Sequence, residues 1–267
     1  MHNIDTICRF EKAEYIFKFE GKMYRLIRGT DQELDKLCTI TDNSDAEHDE
    51  SERTMRLVDY LSWELRQPIR YVSVGNQGYA DGKITLETAL INSFHGRRLR
   101  GSVVNISSIP DVTNDTQRLA LSLWNEARVS YSPFLGFINY WKILELSPYG
   151  KRLKGKPSKR AKKWVNSVPH HKVYIREEMG KILAAEKIDL GTFLYDRCRN
   201  AIAHVTRKPV LSPGNVKDRL QINIAGEVAE NLARYYMQEE LGLKGYSQPL
   251  EIVKTKKRTS AFRLWEK

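Results

Sequence analysis

Three side chains suited to phosphodiester chemistry crowd into the stretch DRCRNAIAHV, residues 196 to 205: Arg199, Asn200 and His204. Arginine offers a planar fork of donors to phosphate oxygens, and histidine is the side chain that exchanges a proton most readily near neutral pH. A carboxamide can orient either of them. On a helix, residues 200 and 204 stand on neighbouring turns of one surface. Arg199 lies farther round, with a stem long enough to swing back. Such a set fits a reaction in which one group moves a proton while another meets charge building on phosphorus oxygens. The same residues also have a plainer explanation: Arg199 pairs with Asp196 or Glu145, and His204 favours the negative end of a helix.

A second candidate is the run KRLKGKPSKRAKK, residues 151 to 163, with eight Lys or Arg and no acid in a chain of net charge +11. The basic residues are Lys151, Arg152, Lys154, Lys156, Lys159, Arg160, Lys162 and Lys163, and Trp164 follows them. Positive charge beside an aromatic ring suits a single-stranded nucleic acid, because released counterions drive the contact and bases stack on the ring. A solvated loop accounts for the charge equally well. Residues 31 to 52 carry nine acids against Lys36 alone, opposite in sign to this run and a candidate shield for it.

Other chemistries find less support. His170 and His171 are adjacent and would not share a helix face, and there is no H-E-x-x-H or carboxylate cluster, so neither a metal nor another cofactor is expected. GNQGYADG, residues 75 to 82, fits neither a P-loop nor a dinucleotide fingerprint and reads as a turn. Cys8, Cys38 and Cys198 are odd in number and far apart, which suggests reduced thiols. No run of eighteen apolar residues occurs and the N-terminus lacks a secretory pattern, so a cytoplasmic protein with no membrane partner is expected.

The elements that must carry these residues divide the chain into a small α+β domain, 1–110, and a helical bundle, 111–267, mainly α overall. In the first part, residues 15 to 29 alternate about Glu20-Gly21 as a hairpin, the acidic stretch reads as loop, and a helix from Ser51 ends before Pro68. Its apolar spacing takes in Met55. Residues 69 to 75 and 101 to 107 read as strands, whereas KITLETALINSF is ambiguous. In the second part, Asn114 or Asp115 caps a helix with Leu119, Leu123 and Ala127 inward, and Ser132-Pro133 restarts or kinks it. The next stretch buries Phe134, Phe137, Ile138, Trp141 and Leu144. The basic run follows as an exposed insertion. Helical pattern resumes near His170, breaks around residues 189 to 191 and carries the 196–205 cluster. Asn215 then caps a last helix with Val216, Leu220, Ile224, Val228, Leu232 and Tyr235 inward.

RNAIAH, residues 199 to 204, resembles the R-N-x-x-x-H form of the R-x(4-6)-H motif of HEPN domains, helical bundles found in bacterial defence and toxin ribonucleases. The resemblance spans roughly residues 111 to 241, with FLGFINYWKILEL similar to the family's earlier aromatic helix. The whole chain is also similar to bacterial proteins labelled methylamine utilisation protein J-like. The HEPN resemblance implies a metal-independent endoribonuclease in an antiphage or toxin role, a homodimer meeting through the motif helix, and an antitoxin or regulatory partner. It makes Arg199, Asn200 and His204 the catalytic set: a 2′-hydroxyl attacks the adjacent phosphate, leaving a cyclic phosphate and a 5′-hydroxyl. A non-catalytic RNA-binding or protein-interaction dimer with the same bundle is the alternative. A DNA-binding regulator lacks a base-reading helix here.

Overall fold

The computed structural model describes residues 14–27, 35–41, 46–64, 69–80, 83–92, 112–147, 154–169, 175, 177–204 and 210–243. Cys8, Lys151, Arg152, His170, His171 and the expected strand at 101 to 107 lie outside them. The chain is α+β and mainly helical, as its sequence suggests.

β1 (Glu14–Phe19) and β2 (Lys22–Ile27) form the expected hairpin. Glu20 and Gly21 both take positive φ, 44° and 83°, which matches the twist that a two-residue connection between strands requires. The sheet continues antiparallel throughout in the order β1-β2-β3-β5-β4, with β3 at Asp35–Thr41, β4 at Ile69–Ala80 and β5 at Lys83–Asn92.

The sheet and the first helix depart from the sequence expectation at two points. The acidic stretch is not loop throughout: residues 35–41 form β3, and residues 46–52 open α1 (Ala46–Glu64). Glu50 is buried, accepts from the Tyr24 hydroxyl and pairs with Arg53 at 2.6 Å. The glycines of 75 to 82 do not mark a turn throughout, because β4 runs to Ala80. The β4–β5 register slips by one residue between Asn76 and Tyr79, and Gly78 falls within that bulge.

α1 lays Leu57, Val58 and Leu61 into the same buried cluster as Tyr24, Leu26 and Leu37 of the sheet, while Met55 turns outward. Trp63 meets Trp124 of α2 (Asp115–Val129) edge to face at 5.1 Å. Beside that contact, Asp59 of α1 accepts from Ser122 and from Asn125 Nδ2 (2.9 Å). Asn125 also exchanges hydrogen bonds with both backbone groups of Ile69. Burial raises the Asp59 carboxyl to about 6.

The bundle follows from its caps. Asn114 caps α2, and Ser132 with Pro133 starts α3 (Pro133–Glu145). Phe134, Phe137, Trp141 and Leu144 are buried as expected, and α3 packs along α8 (Val216–Glu239), which Asn215 caps. The inner face of α2 is Gln117, Ala120, Leu121, Trp124, Asn125 and Ala127, not one that includes Leu119, which is 50% exposed. Two polar residues conceal that face: Asn125 bonds Ile69, and Gln117 donates to the carbonyl of Leu241 at 2.6 Å.

On α8 the buried stripe starts at Ile222, leaving Val216 (70%) and Leu220 exposed. At 24 residues this helix is longer than its 13-residue partner α3. The basic run is not wholly an exposed insertion either. Its second half is α4 (Pro157–Ser167), anchored by buried Ala161 and Val165. α5 (Glu177–Glu186) then leads to the segment that carries the cluster.

Candidate functional site

Asp189 caps the motif helix, its carboxylate accepting from the Thr192 N–H at 2.6 Å. The helix runs on without interruption through α6 (Leu190–Thr192), a π-helical segment (Phe193–Arg199) and α7 (Asn200–Ala203). Phe193, Leu194, Cys198 and Ala201 anchor it in the core. Its i to i+5 bonding, seen where the Asn200 N–H reaches the carbonyl of Tyr195, stacks residues four to five apart. His204 closes the helix, its N–H donating to the carbonyl of Asn200 at 2.9 Å while its own backbone turns extended.

The three motif side chains meet. Arg199 Nη1 donates to Asn200 Oδ1 at 3.1 Å and lies 3.4 Å from His204 Nε2. A guanidinium can only donate, so this contact requires the lone pair on Nε2 and places the proton of a neutral imidazole on Nδ1. Arg199 Nε faces Glu145 Oε1 at 3.6 Å. Nη2 makes no hydrogen bond among the described residues. The arginine side chain keeps 25% exposure.

Two carboxylates back the motif. Glu145, at the end of α3, accepts from Trp141 Nε1 at 2.8 Å and from the Ser158 hydroxyl of α4. Asp196 accepts from Asn200 Nδ2 at 3.4 Å through one oxygen, and through the other pairs with Lys162 of α4 at 2.9 Å. Lys162 Nζ also stands 5.8 Å from the ring centre of Tyr195, which stacks on Trp141. The Cys198 thiol on the same helix is buried, and burial pushes it up to about 12, so it holds no thiolate for chemistry.

The basic candidates separate into different settings. Lys154, Lys156, Lys159 and Lys163 are exposed on and just before α4, and Arg160 is half-buried. Lys162 is drawn onto Asp196. Trp164 is half-buried, donating from Nε1 to Glu240 at 2.9 Å and meeting Tyr236 edge to face at 4.8 Å. Sequence reasoning named Glu145 and Asp196 only as partners for Arg199, and it missed Ser158, Trp141 and Tyr195. The available signal was the spacing of Ser158 and Lys162, four apart and therefore on one side of a helix.

Among the described residues, no group of three His, Cys, Asp or Glu is placed to hold a metal ion. No described helix is long and apolar enough to cross a membrane.

Residues 120–238 match the model of the family described as Methylamine utilization protein MauJ, a stretch from the first turns of α2 to the end of α8 that includes the motif. No curated protein matches the chain, and no solved structure does.

Proposed function

We propose that the helical part of this chain is a HEPN-type, metal-independent endoribonuclease of the bacterial defence or toxin kind, acting as a homodimer whose motif helices meet. The observation that carries this reading is the arginine held between amide and imidazole, with Nη2 left over and 25% of the side chain open to solvent.

In the proposed reaction, Nη2 and a displaced Nη1 grip the scissile phosphate, which frees the Nε2 lone pair of His204. That nitrogen takes the proton of the ribose 2′-hydroxyl as its oxygen bonds to phosphorus. The bond from phosphorus to the 5′-oxygen breaks, and the leaving oxygen takes a proton from the His204 of a second copy. The products are a 2′,3′-cyclic phosphate and a 5′-hydroxyl. Arg199 meets the charge that builds on the phosphorane oxygens, where paired donors are worth most. Asn200 holds the guanidinium in register. The exposed lysines of α4 supply the track for the rest of the strand.

The test is cleavage of single-stranded RNA by the full chain in EDTA, with product ends analysed. His204→Ala and Arg199→Ala are expected to abolish cutting while circular dichroism and oligomeric state stay as in the parent. Equal cleavage by parent and variants would refute the proposal. One observation favours the second reading, a non-catalytic RNA-binding or interaction module: Arg199 already has an intramolecular carboxylate, Glu145, opposite its Nε. Under that reading the parent binds RNA and leaves it intact.

A further inference from the structure

Ser158 and Lys162 sit four residues apart on α4 and so share one side of it. Each ends on a carboxylate that itself touches a motif residue. The Ser158 hydroxyl donates to Glu145, and Glu145 faces Arg199 Nε at 3.6 Å. Lys162 pairs with Asp196 at 2.9 Å, and Asp196 accepts from Asn200 at 3.4 Å. Two parallel chains of contact thus run from one face of the basic helix into the cluster. The chain through Glu145 is the more enclosed, with 19% side-chain exposure for Glu145, while in the other Lys162 keeps 29% and Asp196 44%; Lys159 and Lys163 of the same helix are exposed.

We infer that Ser158 and Lys162 are positioning residues of the motif, acting through Glu145 and Asp196, and that Lys162 is not part of the phosphate-binding track. Its ammonium, held against Asp196 and Tyr195, fixes the carboxylate that sets the Asn200 amide, and Asn200 in turn receives Arg199. Loss of the ammonium lets Asp196 turn to solvent, and the amide loses the orientation that aims its oxygen at the guanidinium. Ser158 does the same for Arg199 by keeping the Glu145 carboxylate opposite Nε. Displacements of this kind at a reacting centre act on turnover. A lysine that only gathers RNA acts on affinity and on its salt dependence.

For its kinetic test the inference rests on the RNA-cleaving reading above. The full chain and its Lys162→Met, Lys162→Arg, Ser158→Ala and Lys159→Met variants are compared on single-stranded RNA in EDTA. Lys162→Met and Ser158→Ala are expected to lower kcat about tenfold with KM and the salt dependence of binding unchanged, and Lys162→Arg to restore kcat. Lys159→Met is expected to do the reverse, raising KM and flattening the salt dependence. If Lys162→Met instead raises KM and flattens the salt dependence with kcat intact, Lys162 is a phosphate contact and the inference is overturned. If the parent cuts no RNA, the cleavage reading fails by itself, and the imidazole resonances of His204, assigned with His204→Ala, decide this one. A shift in Lys162→Met that is missing in Lys159→Met supports it, and no shift in either overturns it.

Discussion

At the scale of single residues, one guanidinium performs several tasks. Arg199 uses Nη1 for both Asn200 and His204, turns Nε toward Glu145 and keeps Nη2 in reserve. A planar fork with separately directed donors can do this, but a single ammonium at the end of a flexible stem cannot. Arg199→Lys preserves the charge and so isolates the geometry. The expected outcome is a fall in kcat of about a hundredfold on single-stranded RNA, typical of a lost directed donor, with the thermal midpoint moved by no more than about 2 °C because the side chain is partly exposed. Steady-state kinetics beside a thermal melt would check it, and full activity in the lysine variant would show that only charge matters at this position. His204 depends on the same fork. In the proposed reaction its Nε2, 3.4 Å from Arg199 Nη1, is the atom that receives the proton once an anion draws the guanidinium aside.

At the scale of elements, the close approach of α4 to the motif helix is what allows Lys162 and Ser158 to reach the cluster, and Gly191 permits that approach. A Cβ on Gly191 would lie 2.5 Å from the carbonyl oxygen of Lys162 and 2.6 Å from Asn166 Oδ1, which also accepts the Gly191 N–H. Gly191→Ala therefore has to push α4 away, at an expected cost of about 2 kcal/mol in urea denaturation. Gly180→Ala on α5, where an added Cβ meets nothing within 4 Å, should be neutral or slightly stabilising. Equal stabilities for the two variants would contradict the close packing. The elements themselves were legible where local rules decide them. The hairpin turn at Glu20-Gly21, the caps at Asn114, Ser132 and Asn215, and the aromatic stripe of α3 all follow from nearest-neighbour chemistry. What escaped depends on distant partners. Nothing local reveals that Leu241 and Ile69 will bond Gln117 and Asn125, so the apolar spacing puts Leu119 on the inner face of α2 instead. Gly78 read as a turn because a bulge is a property of two strands at once. α4 buries only Ala161 and Val165, too little apolar pattern to announce a packed helix inside a basic run. The motif residues were readable from proximity in the chain, whereas the links through Ser158 and Lys162 close only after folding.

At the scale of the whole molecule, the net charge of +11 is less informative than where it remains unspent. Among the described residues of the N-terminal part, Glu20 at the hairpin tip takes Arg53 and Arg56, Arg118 of α2 approaches it at 3.9 Å, and Glu52 stands opposite Arg56. Glu50 and Glu52, the acids of residues 31 to 52 whose side chains are described, are engaged by their own neighbours. Along α4 the balance differs, since Lys162 is paired with Asp196 whereas Lys154, Lys156, Lys159 and Lys163 stand exposed. If those four lysines each neutralise one phosphate of a single strand, the plot of log binding constant against log salt should fall with a slope of about −3 per chain, at roughly 0.7 for each phosphate. A dimer that lays one strand across both copies would double it to about −6. Fluorescence anisotropy with the His204→Ala protein, which leaves the RNA uncut, measures this slope directly in EDTA. Lys159→Met should flatten it by about 0.7 and Lys162→Met should leave it alone. A slope near zero would mean that α4 does not follow the backbone at all, and the strand would then have to be held by the motif itself.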